Sequence, residues 1–186
     1  MIPLTSEILN NLKMENQITF QDKRQRGSSG VNFFISPSLC IELYDSKVFW
    51  VDPFKKNISF GFSKKDSLSL LIFLRYINST LSELFIEKLK NMKTFPDTVK
   101  KGINGISPFF YEKGEYFYIK CNLPQNPNSR GVGLSKYSVK VVGEEDNFKC
   151  PYIGGVYKIA SLYIKNLWSK NGATGFNLEL KAVKYD

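Results

Sequence analysis

The sequence predicts a mainly β chain with inserted helices, an α+β chain organised around an antiparallel Greek-key barrel. Three observations predict it. Apolar and polar side chains alternate cleanly along Tyr116–Cys121; short β-rich runs between Val31 and Phe62 are punctuated by Pro, Gly and Asp; and five strand-like runs with uneven loops follow Ile106.

Taken in order, the first 30 residues end in Gln21-Asp22-Lys23-Arg24-Gln25-Arg26-Gly27-Ser28-Ser29-Gly30, a basic, Gly/Ser-rich segment with nothing to bury. Residues 1–30 are therefore expected to form a flexible basic arm, and 31–186 a single domain. Within that domain, 31–105 supply β hairpins and two helices. The strands read as Val31–Ile35, Leu39–Tyr44, Lys47–Val51 and Ile58–Phe62. Asp66 is placed to cap a helix running through Ile77. Thr80 is placed to cap a second, in which Leu81, Leu84, Phe85, Lys88 and Leu89 recur at helical spacing. Two helices joined near Asn78-Ser79-Thr80 fit the outline of a helix-turn-helix. The second would begin Leu-Ser-Glu-Leu-Phe, however, offering no Arg, Asn or Gln to a base edge and setting Glu83 against phosphates. A helical pair covering the core is the better reading.

Residues 106–186 supply the barrel strands: Ser107–Tyr111, a Lys113-Gly114 turn, Glu115–Leu123, Tyr137–Val142, Val156–Leu167 and Gly175–Lys184. About five antiparallel strands with uneven loops and a long final hairpin suit an OB-like barrel, with the N-terminal β and helical segments as elaboration. A β-sandwich satisfies the same pattern.

Charge and composition then narrow the function. Lys and Arg outnumber Asp and Glu by 26 to 17, a net +9 that favours polyanionic partners. Residues 1–98 hold 13 basic and 10 acidic side chains (+3), whereas 99–186 hold 13 and 7 (+6), so the second half is the better binding candidate. There is no histidine, and Cys40, Cys121 and Cys150 lie far apart, which removes zinc-ligand spacing and histidine-based catalysis. All three cysteines are expected to be buried thiols in a reducing intracellular compartment, with no metal and no cofactor. The richest apolar stretch, Leu68–Ile77, is about half of what a bilayer needs, so a soluble chain without a membrane partner is expected.

The candidate binding residues come from two strands. In Tyr116–Cys121, Phe117, Ile119 and Cys121 share the core face, leaving Tyr116, Tyr118 and Lys120 outside at steps of roughly 6.5–7 Å. That spacing suits bases stacked on rings while an ammonium meets phosphate. Along the final hairpin, Phe176, Leu178, Leu180 and Ala182 are phased inward. Phasing Ala160, Leu162 and Ile164 inward turns Tyr157, Tyr163 and Lys165 outward as a second ring-and-cation stripe. Arg130, Lys136, Lys140 and Lys158 extend an electrostatic path for a phosphate backbone. Trp50 is expected in the core, and Trp168 is left open between core and stacking.

In two stretches the last eighty residues resemble the single-stranded DNA-binding proteins of tailed phages and large DNA viruses. The first is Ser107-Pro108-Phe109-Phe110-Tyr111-Glu112-Lys113-Gly114-Glu115-Tyr116-Phe117-Tyr118-Ile119-Lys120. The second runs from Gly154-Gly155-Val156-Tyr157-Lys158 through Leu167-Trp168 to Gly175–Lys184. The resemblance implies an OB fold and sequence-tolerant coating of exposed single strands during replication or recombination, without catalysis. If the chain is viral, it also implies the host-cell site of viral DNA replication. The ending Lys184-Tyr185-Asp186 departs from the acidic tail such proteins often carry.

The leading expectation is thus a non-enzymatic protein whose partner is single-stranded DNA, with RNA left open and self-association a further expectation. The alternative is a structural or interaction protein, such as a virion or assembly component, whose β surface binds protein partners. A metal-dependent nuclease would need converging carboxylates. Glu112 with Glu115, and Glu144-Glu145-Asp146, are the local acidic groups of the basic half; both sit at turns, and neither has a supporting Lys at recognised nuclease spacing.

Overall fold

Backbone pairing organises more of this chain than its apolar pattern suggests. The computed structural model describes residues 2–3, 5, 19–23, 30–52, 56–91, 105–125, 137–143, 148–170 and 173–186, and these are mainly β with one helix. The strands are β1 (Ile2–Pro3), β2 (Thr19–Lys23), β3 (Gly30–Asp52), β4 (Asn57–Ser63), β5 (Phe110–Lys113), β6 (Tyr116–Asn122), β7 (Val139–Val141), β8 (Phe148–Lys149), β9 (Val156–Lys170) and β10 (Ala173–Lys184). The helix α1 covers Leu68–Asn91.

Hydrogen-bonded neighbours run β5-β6-β4-β3-β9-β10-β7-β8, with β1 and β2 both on β3. Because β6 also pairs with β10, the strands β6-β4-β3-β9-β10 return on themselves and close part of the sheet into a ring. The closing pair is parallel and joins Glu179 to Asn122. The described residues fall into two compact units, and β3, β9 and β10 each contribute to both.

The first unit gathers residues 1–39, 69–109 and 164–177. Thr19–Lys23, expected within a mobile arm, instead pair antiparallel with β3, from Thr19 opposite Ser36 to Lys23 opposite Asn32. Such pairing satisfies main-chain donors and acceptors and needs no apolar burial, so composition does not reveal it. Residues 24–29 of that arm lie outside the described residues. Leu71, Leu74, Ile77, Leu81, Leu84 and Phe85 form the buried face of α1, and Phe85 meets Phe33 edge-on at 4.9 Å. A part-buried amide chain crosses three strands: Asn166 donates to Asn32 at 2.8 Å, and Asn177 donates to Asn166 at 3.2 Å.

The expected two helices are one. Nothing at Asn78-Ser79-Thr80 breaks a helix, since neither Pro nor Gly is present and a Ser or Thr caps only where the backbone already turns. Ser79 spends its hydroxyl on Glu83 one turn on, at 3.2 Å. As a result α1 is longer than the apolar stretch Leu68–Ile77. Over Leu68–Lys88 it is long and apolar enough, by length and composition, to cross a membrane, at mean hydropathy 1.2. Its buried face against Phe33 is equally what a core helix shows.

The second unit gathers residues 40–68, 110–163 and 178–186, and it holds segments of all five ring strands. Its core includes Val48, Ile58, Phe60, Phe117, Ile119, Tyr157, Leu162 and Leu180, all fully buried. Phe62 and Phe117 stack at 5.3 Å. Cys40 and Cys121 are buried, and burial raises both thiols above their ordinary value. Cys150 is exposed, contrary to expectation.

Three strands expected between Val31 and Val51 are the single strand β3. Asp45 takes φ +46°, one left-handed residue where a tight I′ hairpin turn needs two, so the chain shifts phase without reversing. Apart from Cys40, buried positions are odd-numbered up to Leu43, and they are even-numbered at Ser46 and Val48. A second irregularity follows: Val48 pairs with Phe60 but Trp50 with Ser59, so one residue of β3 is extra.

Candidate nucleic-acid interface

The register of β4, β6 and β5 assembles the candidate site in the second unit. Gly61 lies opposite Tyr118 and Ser63 opposite Tyr116. On the other side of β6, Tyr111 lies opposite Tyr118 and Lys113 opposite Tyr116. Alternation then exposes Tyr116 and Lys120 on the outer face, with Phe117, Ile119 and Cys121 beneath. Tyr111 stacks on Tyr118 at 5.0 Å with ring planes 20° apart, and Tyr116 lies 6.5 Å from Tyr118.

Tyr118 is on the expected face, but it is not itself a free platform. It is 8% exposed because Tyr111 covers one side of the ring and Phe49 lies 4.8 Å away on another. Tyr116, 51% exposed, and Tyr111 are the presented rings, with Tyr118 as the base they rest on. Gly61 makes the close fit work: a Cβ there would stand 3.2 Å from both the Tyr118 ring and the Phe49 Cβ.

The extra residue in β3 extends this surface. With one residue too many opposite β4, Phe49 and Trp50 both face solvent, Phe49 at 55% exposure, so Trp50 is not the core residue expected. Lys47, Lys113 and Lys120 are exposed around the rings. An open groove of about 570 Å³ runs along the face, lined by Lys47, Phe49, Gly61, Tyr116, Tyr118 and Ile153 among others. Glu112, next to Tyr111 in sequence, is held by Lys64 at 2.8 Å, and Glu115, next to Tyr116, is exposed.

The second stripe does not form as expected. Tyr157 is fully buried, 5.3 Å from Tyr185 and 6.3 Å from Phe60, and burial raises its phenol above the ordinary range. The even phase of Ala160, Leu162 and Ile164 is observed, but inward positions are odd at Gly155 and Tyr157, so the phase changes across residues 158–159. Tyr163 is half-buried; Lys165 is exposed and belongs to the first unit. Lys158 is exposed but engaged: Asp45 accepts a hydrogen bond at 3.0 Å and Asp186 lies at 4.0 Å, which together raise its pKa. Lys140 is exposed on β7. Arg130 and Lys136 lie outside the described residues.

Tyr111, Phe49, Lys47 and Lys113 are not among the binding residues expected from sequence, and Trp50 was assigned to the core instead. One signal for Tyr111 was present: a two-residue turn at Gly114-Glu115, with Gly114 at φ +58°, makes Lys113 oppose Tyr116 and hence Tyr111 oppose Tyr118. Phe49 and Trp50 depend on an irregularity that no local pattern marks. No family model matches the chain, and no curated protein matches it in sequence.

Proposed function

We propose that this protein binds single-stranded DNA on the outer face of β4, β6 and β5, coating exposed strands during replication or recombination without catalysing a reaction. The observation that carries the reading is the contiguous surface of Trp50, Phe49, Tyr118, Tyr111 and Tyr116 ringed by Lys47, Lys113 and Lys120. Rings accept any base on their faces while ammonium groups neutralise phosphate, so such a surface grips a strand without reading its sequence. The strand order supports an OB-like barrel. Within the ring, β9-β3-β4-β6 follows the 4-1-2-3 order of a Greek key, and β10 completes five strands. On that reading β4 and β6 are the second and third barrel strands, the pair on which OB folds carry oligonucleotides. The choice of DNA over RNA rests on the resemblance to phage and viral single-strand-binding proteins.

The test is fluorescence-anisotropy titration of labelled dT oligomer, matched RNA and duplex DNA across a salt series. The reading expects preference for dT with affinity falling as salt rises, and a slope about 0.7 shallower in Lys120→Ala if that side chain contacts one phosphate. No binding of any strand at low salt would reject it. A second reading, docking of a protein partner in an assembly, is favoured by the exposed apolar side chains of Tyr152, Ile153 and Val156. It expects association with protein that is insensitive to salt.

A further inference from the structure

Part of the lining of the groove that Tyr116 shares belongs to neither β4 nor β6. It is the turn Pro151–Gly155, fastened to β3 beside Phe49. The Gly154 amide donates to the Val48 carbonyl at 2.9 Å, and the Val48 amide donates to the Gly155 carbonyl at 2.8 Å. Gly154 takes φ +87°, a conformation that L side chains rarely adopt, and the Gly155 amide closes the turn on the Tyr152 carbonyl at 3.1 Å. The Tyr152 ring folds back over Gly155, where a Cβ would meet its Cζ at 3.4 Å. Ile153 is left projecting at 62% exposure into the groove.

An isolated exposed isoleucine needs no explanation. This one tips a turn held by three backbone hydrogen bonds and shares its groove with the rings of Phe49, Tyr116 and Tyr118 and with one charged side chain among the described lining residues, Lys47. Apolar walls, aromatic rings and a cation at the rim fit a planar anionic unit. A groove of about 570 Å³ is ample for one nucleotide.

We propose that the Pro151–Gly155 turn is the second wall of the binding site and that Ile153, Tyr116 and Phe49 enclose one nucleobase, with Lys47 meeting its phosphate. The inference rests on the single-strand reading of the same face and adds to it a wedge. An aliphatic side chain inserted beside a base interrupts the stack of the bound strand at a defined position.

The experiment uses the whole protein and a short dT oligomer carrying a single 2-aminopurine, with anisotropy giving affinity and 2-aminopurine emission giving the base's environment. Ile153→Ala is expected to weaken binding roughly ten-fold and to remove most of the emission change that the wild type produces. Lys47→Ala is expected to weaken binding while preserving that emission change at saturation. Circular dichroism establishes that each variant folds. If Ile153→Ala binds with unchanged affinity and emission while Tyr116→Ala binds weakly, the turn is no wall and the inference falls while the sheet-face reading stands. If the wild type binds no oligomer, both fall.

Discussion

Two tyrosines two residues apart on β6 are expected to behave differently when removed. Tyr116 is half exposed, so Tyr116→Ala should leave the urea midpoint nearly unchanged and weaken single-strand binding by roughly 1–3 kcal/mol, read by anisotropy. Tyr118 is clamped between Tyr111 and Phe49, so Tyr118→Ala leaves a void under both rings and should destabilise the fold by about 3 kcal/mol as well as weaken binding. Equal unfolding midpoints for the two variants would contradict this division. Gly61 tests the same array from below. Gly61→Val should cost about 1–3 kcal/mol by pushing against the Tyr118 ring and the Phe49 Cβ, with a change in near-ultraviolet circular dichroism reporting the displaced rings.

At the scale of elements, α1 makes the sharpest prediction. Ser79 is exposed, so replacing it by Pro disturbs little but the backbone. Between two helices it would be tolerated; inside one helix it should cost about 3 kcal/mol or more in chemical unfolding. What was legible in the sequence follows the same logic. The faces of β6 and the inward set Phe176, Leu178 and Leu180 of β10 could be read because regular strands keep period two. Tyr157 could not, nor could Phe49 and Trp50, because each lies at a phase change set by pairing partners distant in sequence. The β2 pairing was hidden for a related reason: main-chain hydrogen bonds leave no trace in Gln21-Asp22-Lys23. Thus the ring-and-cation stripe on β6 was visible, while the face it belongs to required the register of β3 and β5.

For the whole molecule, buried neutral acids set the alkaline limit. Burial raises the Cys121 thiol above its ordinary 9.0 and the Tyr157 phenol above its ordinary 10.0. The folded state therefore keeps these protons to higher pH than the unfolded chain, and stability falls as pH rises, from about 9 for Cys121 and from about 10 for Tyr157. Urea unfolding from neutral pH to about pH 11 should show that fall, and Tyr157→Phe should lessen its upper part; an unchanged profile would count against the burial. The ring itself carries a different consequence. The pair that closes it joins two residues, Glu179 and Asn122, whereas β4 and β6 are matched at seven positions. A belt with one short buckle opens there first. Amide exchange along the Asn122 end of β6 should accordingly be faster than in the middle of the β4–β6 pair, and fraying at that seam would let the ring of strands breathe without unfolding its aromatic face.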